Sequence, residues 1–403
     1  MNNSENLFPF PSHWQTKAIK EFAKVKGGKR LPRGASLIQT KTAHPYIRIV
    51  DFKNGRVDKS NLMYVPDDIF PLISRYVISK DDVYISIVGT VGLVGVIDDE
   101  LDGANLTENA AKICEINDAV VDRNFLAAYL QSDLGQREIM AQTVGSTQPK
   151  LALFRIGDIR VPVPPLPEQR AIAAVLGALD DKIELNRRMN RTLEAIAQAV
   201  FRHWFVENEE AEGWEVGRLG DVAENIRRSA STDEIEPETH YIGLEHMPRG
   251  SITLSEWENA SELASNKFIF REGEFLFGKL RPYFHKVGIA PIDGVCSTDI
   301  LVIAPKSPEW YGFVLGHLSS EDLIAYTSAA STGTKMPRTN WADIADYEVT
   351  IPPLEKAKEF TEIFLPMAQR IRTNILESRT LAALRDALLP KLLRGEVRVT
   401  VHE

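Results

Sequence analysis

The side chains best suited to chemistry in this sequence are cations and an aromatic in one loop of its second half. Lys279, Arg281, Tyr283 and Lys286 closely follow a predicted strand at positions 274–277. An arginine can donate two hydrogen bonds to the edge of a guanine, and a lysine can neutralise a phosphate. The loop is therefore a candidate DNA contact, although a solvated basic hairpin would have the same composition.

Further hydrogen-bonding side chains occur at corresponding places in the two halves of the chain. The candidates by position in the first half are Arg48, Ser86 and Thr90. A polar loop ahead of a long helical pattern adds Ser146, Thr147, Gln148 and Lys150, and its counterpart in the second half contains Thr334, Lys335 and Arg338. These loops either contact DNA or cap the junction with the following helix, and we favour the DNA contact.

Signatures of catalysis, cofactor binding and metal binding are missing from the sequence. No Gly-x-Gly-x-x-Gly follows a strand, and the eight histidines have no spacing that would hold zinc. The two cysteines, Cys114 and Cys296, are too few for a disulfide framework or a thiolate metal site. We therefore predict no catalytic, cofactor or metal site in this chain.

Composition describes a folded protein with an uneven distribution of charge. The chain has 403 residues, of which 44% are hydrophobic and 26% charged, so two or three domains with real cores are expected. Its net charge is −9, yet residues 1–60 carry twelve basic and four acidic side chains, which is a weak indication of phosphate contact. No signal peptide or membrane span is visible, and the few cysteines indicate a reducing compartment. We predict a cytoplasmic protein with no membrane partner.

The sequence contains an internal repeat that decides its architecture. A shift of 188 positions brings fifteen identical residues into register over positions 145–205 without a gap, including the two Pro-Pro-Leu segments at 164–166 and 352–354. Upstream, Trp14 corresponds to Trp214, and the Tyr-Ile pair at 46–47 corresponds to that at 241–242. We divide the chain into a globular domain at 1–160, a connecting helix at 161–206, a second globular domain at 207–348 and a second helix with its tail at 349–403.

Apolar spacing predicts long helices in the matched segments and strands in the globular parts. Residues 168–205 carry apolar side chains at intervals of three and four, and the second copy repeats this stripe until Gly395 ends it. Pro366 predicts that the second helix is kinked or starts late. We expect an α+β fold with two β-rich globular domains alternating with two long helices, which pair as an antiparallel coiled coil.

Three features of the sequence resemble the specificity (S) subunits of type I restriction–modification systems. Positions 161–169 resemble the proline-rich entry to that family's conserved helices, and positions 145–151 resemble the Gly-Ser-Thr-Gln-Pro stretch that closes its recognition domains. Positions 82–92 and 273–283 resemble its strand-and-loop motif. The second copy departs from the pattern, because Lys356 and Ala357 replace the Glu-Gln pair and positions 333–337 match loosely.

Membership of this family would imply a non-catalytic subunit that determines which DNA sequence the complex methylates and cleaves. Each globular part would be a target-recognition domain for one half of a bipartite double-stranded DNA sequence, and the helix pair would set the spacing and dock two methyltransferase subunits. S-adenosylmethionine, ATP and Mg²⁺ would belong to partner subunits, possible motor-nuclease subunits included. The alternative is a duplicated coiled-coil scaffold of a related defence complex that binds proteins only.

Overall fold

The computed structural model describes residues 10–11, 13–145, 149–208, 211, 213–261, 265–331 and 336–399. The chain divides into two compact units. The first unit comprises Met1–Asp180 with Ala383–Glu403, and the second comprises Asp181–Ala382.

Short strands and helices build the globular part of the first unit. Its strands are β1 (Gln15–Ala18), β2 (Lys24–Gly27), β3 (Pro45–Ile47), β4 (Phe52–Lys53), β5 (Arg56–Val57), β6 (Met63–Tyr64), β7 (Val83–Ser86), β8 (Val94–Val96), β9 (Asn105–Leu106), β10 (Ala110–Cys114) and β11 (Arg160–Val163). Its helices are α1 (Phe70–Ile73), α2 (Arg123–Gln131), α3 (Asp133–Gln142) and α4 (Leu153–Gly157), followed by the long helix α5 (Leu166–Phe201).

A four-stranded antiparallel sheet forms the centre of this part, in the order β2-β10-β7-β8. A second sheet has the order β6-β3-β9, and β1 pairs with β11 where the chain enters and leaves the domain. The main core joins the central sheet to α2 and to Ile172 and Leu176 of α5. Leu392 and Leu393, near the C-terminus, are buried in the same core.

The second unit repeats most of these elements in the same chain order, without a counterpart, in its described residues, of the β4-β5 hairpin or of α1. Its strands are β12 (Glu215–Arg218), β13 (Ala223–Asn225), β14 (Ser229–Ala230), β15 (His240–Ile242), β16 (Glu258–Asn259), β17 (Lys267–Phe270), β18 (Phe275–Gly278), β19 (Val287–Ile289), β20 (Gly294–Cys296), β21 (Ile300–Pro305) and β22 (Glu348–Ile351). Its helices are α6 (Leu219–Val222), α7 (Tyr311–Leu318), α8 (Glu321–Ala330), α9 (Trp341–Ala345) and the long helix α10 (Leu354–Leu393), whose residues from Ala383 onward belong to the first unit.

The central sheet of the second unit matches that of the first, whereas its second sheet, in the order β14-β17-β20-β15-β16, has two more strands than β6-β3-β9. Its central sheet runs β13-β21-β18-β19, and β12 pairs with β22 at the domain entrance as β1 does with β11. The parallel pair β3 and β9 has its counterpart in β15 and β20. Even the helix caps correspond, because Ser132 caps α3 and Ser320, 188 positions later, caps α8. The predicted fold class and its duplication are confirmed.

The two long helices are close to their predicted bounds. Helix α5 has 36 residues and passes into a π-helical turn at Arg202–Val206. Helix α10 has 40 residues and continues through Pro366, so the expected late start is wrong: Pro366 lies a full twelve residues inside the helix. Gly395 follows with a φ of 68°, the left-handed conformation typical of a helix end. No helix in the described ranges has the length and apolar character needed to cross a bilayer.

A buried layer of asparagines joins α5 and α10 within the second unit. Asn374 Nδ2 donates to Asn190 Oδ1 at 2.8 Å, and Asn186 Nδ2 donates to Ser378 Oγ at 3.2 Å. A shift of 188 positions converts Asn186 into Asn374 and Asn190 into Ser378. The two contacts are therefore related by a local pseudo-two-fold axis, which requires antiparallel helices.

Replacing Asn374 alone should destabilise this layer more than replacing all three of its asparagines. Asn374→Ala leaves the buried oxygen of Asn190 without its donor, so we expect a loss of about 1–3 kcal/mol of unfolding free energy. Replacing Asn186, Asn190 and Asn374 together with leucine should cost less, because no buried polar side chain is then left unpaired there. Urea unfolding of the purified variants measures their free energies of unfolding. A triple variant that is less stable than Asn374→Ala would contradict this prediction.

Glu194 attaches α5 to the globular part of the second unit. Its carboxylate is 7% exposed and accepts hydrogen bonds from the hydroxyls of Ser251, at 2.8 Å, and Thr253. Burial raises the pKa of this carboxyl above its ordinary value of 4.5, although these hydrogen bonds oppose the shift.

The raised pKa predicts how Glu194→Gln responds to pH. Since the folded chain holds this proton more tightly, the resulting stabilisation is complete below the unfolded pKa and is lost as pH rises through the folded pKa. The neutral amide avoids the cost of burying a charge, so the variant should melt a few degrees above the wild type at pH 7. This difference should shrink toward pH 4.5. If the difference in melting temperature between the variant and the wild type does not change with pH, the raised pKa of Glu194 is refuted.

Candidate nucleic-acid interface

The turn after the central strand β18 of the second unit holds the predicted cationic loop. A short 3₁₀ turn at Pro282–Phe284 is bracketed by two left-handed residues, Arg281 with a φ of 51° and His285 with a φ of 50°. Leu280 forms a β-bridge with Arg338, and Arg281 N donates to Pro337 O at 2.8 Å. The structure thus brings together two loops that are more than fifty positions apart in sequence.

The first unit builds the same junction from different side chains. Val88 forms a β-bridge with Lys150, 192 positions before Leu280 and 188 before Arg338 respectively. Its turn contains Gly89 with a φ of 77° and Gly92 with a φ of 92°, where the second unit has non-glycine residues. Thr90 and Lys150 are both exposed at this junction.

Four predicted contact residues are engaged within the protein. Arg48 donates to both carboxylate oxygens of Asp51, at 3.0 and 2.8 Å. This hydrogen bonding raises the pKa of the Arg48 guanidinium. Ser86 is fully buried and its hydroxyl accepts the N–H of Leu93. The other two are Lys286, whose Nζ donates to the carbonyl of Leu244, and Arg338, which pairs with Asp299 at 3.2 Å. Their DNA contacts stay predictions, and each contact would compete with one of these bonds.

Three predicted residues of the second unit keep their polar groups unpaired within the described part of the chain. The side chains of Lys279 and Arg281 are half-buried, and neither donates to a neighbour there. Arg281 Nε is buried and has no acceptor. Tyr283 is 53% exposed, with its ring against Phe284. These are the side chains best placed to bind an external acceptor. The remaining predicted residues, Ser146, Thr147, Gln148, Thr334 and Lys335, lie outside the described residues.

Arg249 and Phe284 are site residues that sequence reasoning missed. The Arg249 guanidinium lies 3.8 Å from the centroid of the Phe284 ring, and that of Arg281 lies 5.8 Å from the same centroid. The hydrogen bond from Gly250 N to His285 O, at 2.8 Å, joins the two loops. No local pattern links positions 249 and 284, so only the fold reveals this cluster, although an Arg-Gly turn after a predicted strand was a weak signal.

Desolvation and mutual repulsion set the charge state of this surface. Burial, followed by the nearby Arg249 charge, lowers the pKa of Lys286. Burial also lowers the pKa of His285, whose Nε2 donates to Ser319 O at 3.0 Å. Because the ordinary pKa of histidine, 6.5, is already below 7, His285 is mostly neutral at pH 7.

One group of side chains has a geometry worth testing against a metal ion. Glu245, His246 and Glu258 each offer a ligand atom, and these atoms lie within 4.8 Å of one another. However, His246 Nδ1 accepts the N–H of Gly243 at 3.0 Å, so the neutral ring carries its proton on Nε2, the nitrogen that faces Glu258. That tautomer cannot bind a cation there, and the absence of a metal site stays a prediction.

Comparison with known proteins identifies the duplicated domain. Residues 11–195 and 211–383 each match the type I restriction modification DNA specificity domain. The chain belongs to this family. It is a type I restriction–modification specificity subunit with two recognition domains, and such subunits are non-catalytic. The family match favours this role over the protein-only scaffold.

Individual relatives are similar over most of their length. The MjaIX specificity subunit of Methanocaldococcus jannaschii is 24% identical, and the alignment covers 96% of this chain and 94% of that protein. The EcoDI specificity subunit of Escherichia coli is also 24% identical, over 70% of this chain and 72% of the relative. The crystal structure of the type I S subunit from M. genitalium has a TM-score of 0.56 at 17% identity, with 98% of both chains covered, which shows a shared fold.

Proposed function

We propose that each globular part of this specificity subunit reads one half of a bipartite DNA target. The observation that carries this proposal is that one frame of strands and helices presents different side chains at corresponding turns. The first unit offers Gly89 and Thr90 beside Lys150, whereas the second offers Arg281 and Tyr283 beside Arg338. Base edges are distinguished by the donors and acceptors that face them, so different turns would select different half-targets.

The helix pair would fix the gap between the two halves and dock the catalytic partners. Two methyltransferase subunits would bind S-adenosylmethionine and methylate adenine, and motor-nuclease subunits, where present, would use ATP and Mg²⁺. The relatives' names support this assembly, since each is described as a subunit of a restriction enzyme. The internal repeat supports two copies of one partner, because the helices carry the best-matched segments of the chain.

Mapping of methylated adenine tests the proposal. The chain is co-expressed with the adenine methyltransferase encoded beside it, in a host that lacks both, and N6-methyladenine is located by single-molecule sequencing. We expect a split motif of two short specified blocks around a fixed gap. The methyltransferase expressed alone is the control. Methylation of an unsplit motif, or none from a complex shown to be assembled, would reject the proposed role.

A further inference from the structure

The backbone of the turn in the second unit is unfavourable for the residue it carries. Arg281 has left-handed torsion angles, a φ of 51° and a ψ of 67°. The corresponding residue of the first unit is Gly89, which adopts the same region with a φ of 77° and has open space where a Cβ would be. Glycine occupies this region freely, whereas an arginine is strained there. The second unit therefore keeps an arginine where its own repeat shows that glycine suffices for the fold.

The Arg281 side chain makes no hydrogen bond or ion pair within the described part of the protein. Its buried Nε has no acceptor, and no ion pair within the described ranges involves its guanidinium. A buried donor without a partner is costly unless something outside the chain supplies the acceptor. An outside acceptor can reach this Nε only if the side chain turns outward, so the left-handed backbone and the unpaired guanidinium point to an external ligand together.

Arg249 completes a fork of two guanidinium groups around one ring. Its guanidinium lies 3.8 Å from the centroid of Phe284 and has no hydrogen-bond acceptor or acidic partner in the described residues. Stacking on the ring fixes the plane of the guanidinium and leaves its N–H edge available. Two neighbouring cations lack this freedom, because Lys286 donates to Leu244 and Arg338 pairs with Asp299.

We propose that Arg249 and Arg281 read guanine in the half-target of the second unit, with Phe284 holding their guanidinium planes. This inference rests on the proposed function, since it names the bases that one recognition domain selects. A planar fork of two donors matches the O6 and N7 acceptors of guanine, and no other base presents that pair in the major groove. Tyr283, half-exposed beside Phe284, lies against the same DNA surface.

His285 is a positioning residue for this fork. Its ring donates to Ser319 O at 3.0 Å, which ties the turn to the junction of α7 and α8. Its own carbonyl accepts the N–H of Gly250, the residue after Arg249. One residue therefore fixes both loops that carry the guanidinium groups.

The test uses the complex of this chain with its methyltransferase and a duplex that contains the mapped target. Each guanine of the target is replaced in turn by 7-deazaguanine, which lacks the N7 acceptor, and affinity is measured by fluorescence anisotropy at one fixed salt concentration. The variants are Arg249→Ala and Arg281→Gly. Arg281→Gly relieves the strained backbone, so its melting temperature should equal or exceed that of the wild type. Arg218→Ala, which removes an exposed arginine paired with Asp346, is the matched control.

We expect each variant to lose affinity about tenfold and to become insensitive to 7-deazaguanine at one guanine of a single half-target. The wild type and Arg218→Ala should lose about tenfold when that guanine is modified. Wild-type affinity in both variants, an equal loss on all sequences, or a target half without guanine would each overturn the inference while leaving the split-target function intact. A wild-type complex that shows no preference for any sequence would overturn the function itself.

Discussion

Gly28→Ala should unfold the first unit while leaving the second unit folded. A Cβ at this position would lie 2.1 Å from the carbonyl oxygen of Thr107 and 2.3 Å from that of Leu106. Both atoms belong to the backbone, and Gly28 N and Lys29 N hold this crossing by hydrogen bonds of 2.9 Å to Ala110 O and Leu106 O. The two backbone segments cannot move apart without breaking these hydrogen bonds. We therefore expect the free energy of unfolding to fall by at least about 3 kcal/mol.

Hydrogen exchange with mass spectrometry measures this effect separately in the two units. Protection should be lost in β2, β9 and β10 and retained in β18 and β21. Gly177→Ala is the matched control, because a Cβ there meets nothing within 4 Å and the residue lies inside α5. That change should stabilise the chain by about 0.5–1 kcal/mol. Normal protection of β2 in Gly28→Ala would show that the crossing is looser than described.

Phe360→Ala should have the largest effect on the second unit. Phe360 lies on α10, is 2% exposed, and packs at ring-centroid distances of 5.1 Å from Phe205 and 6.0 Å from Phe201. Gly312 of α7 has no side chain here, since a Cβ would approach the Phe360 ring to 2.7 Å. The closely fitted ring leaves a cavity when removed, so we expect a loss of about 3–5 kcal/mol.

Ile363→Ala is the control for this substitution on the same helix. Ile363 is 40% exposed, and its truncation should change the unfolding free energy by roughly 0.5 kcal/mol or less. Urea unfolding followed by tryptophan fluorescence suits the comparison, because five of the six tryptophans belong to the second unit. Equal effects of the two variants would contradict the burial of Phe360.

The long helices and the duplication were predictable because their signals are local or periodic. The stripe of apolar residues specifies α5 and α10 without knowledge of their partners. The shift of 188 positions pairs β11 with β22 and the cap Ser132 with Ser320, and the structure contains both correspondences. Pro366 misled the prediction for α10, because tertiary packing maintains a helix through a residue that locally disfavours it.

The contacts within the candidate site were not predictable, because they depend on which loops meet. Type and position suggested Arg48 and Lys286, yet Asp51 and the Leu244 carbonyl engage them. Arg249 gave only a weak local signal, and its role emerges when the fold places it on Phe284. A cation on a turn is a candidate from sequence alone, but whether its donors are free depends on tertiary neighbours.

An exchange of recognition domains tests the central claim that each unit reads its own half-target on a common frame. Residues 215–351 are replaced by residues 15–163, so that the entrance pair β1 and β11 takes the place of β12 and β22. Because both units would then carry the same recognition domain, the methylated motif should contain one wild-type half twice, around a gap, and should lose the other half. A motif that keeps both wild-type halves would contradict the account.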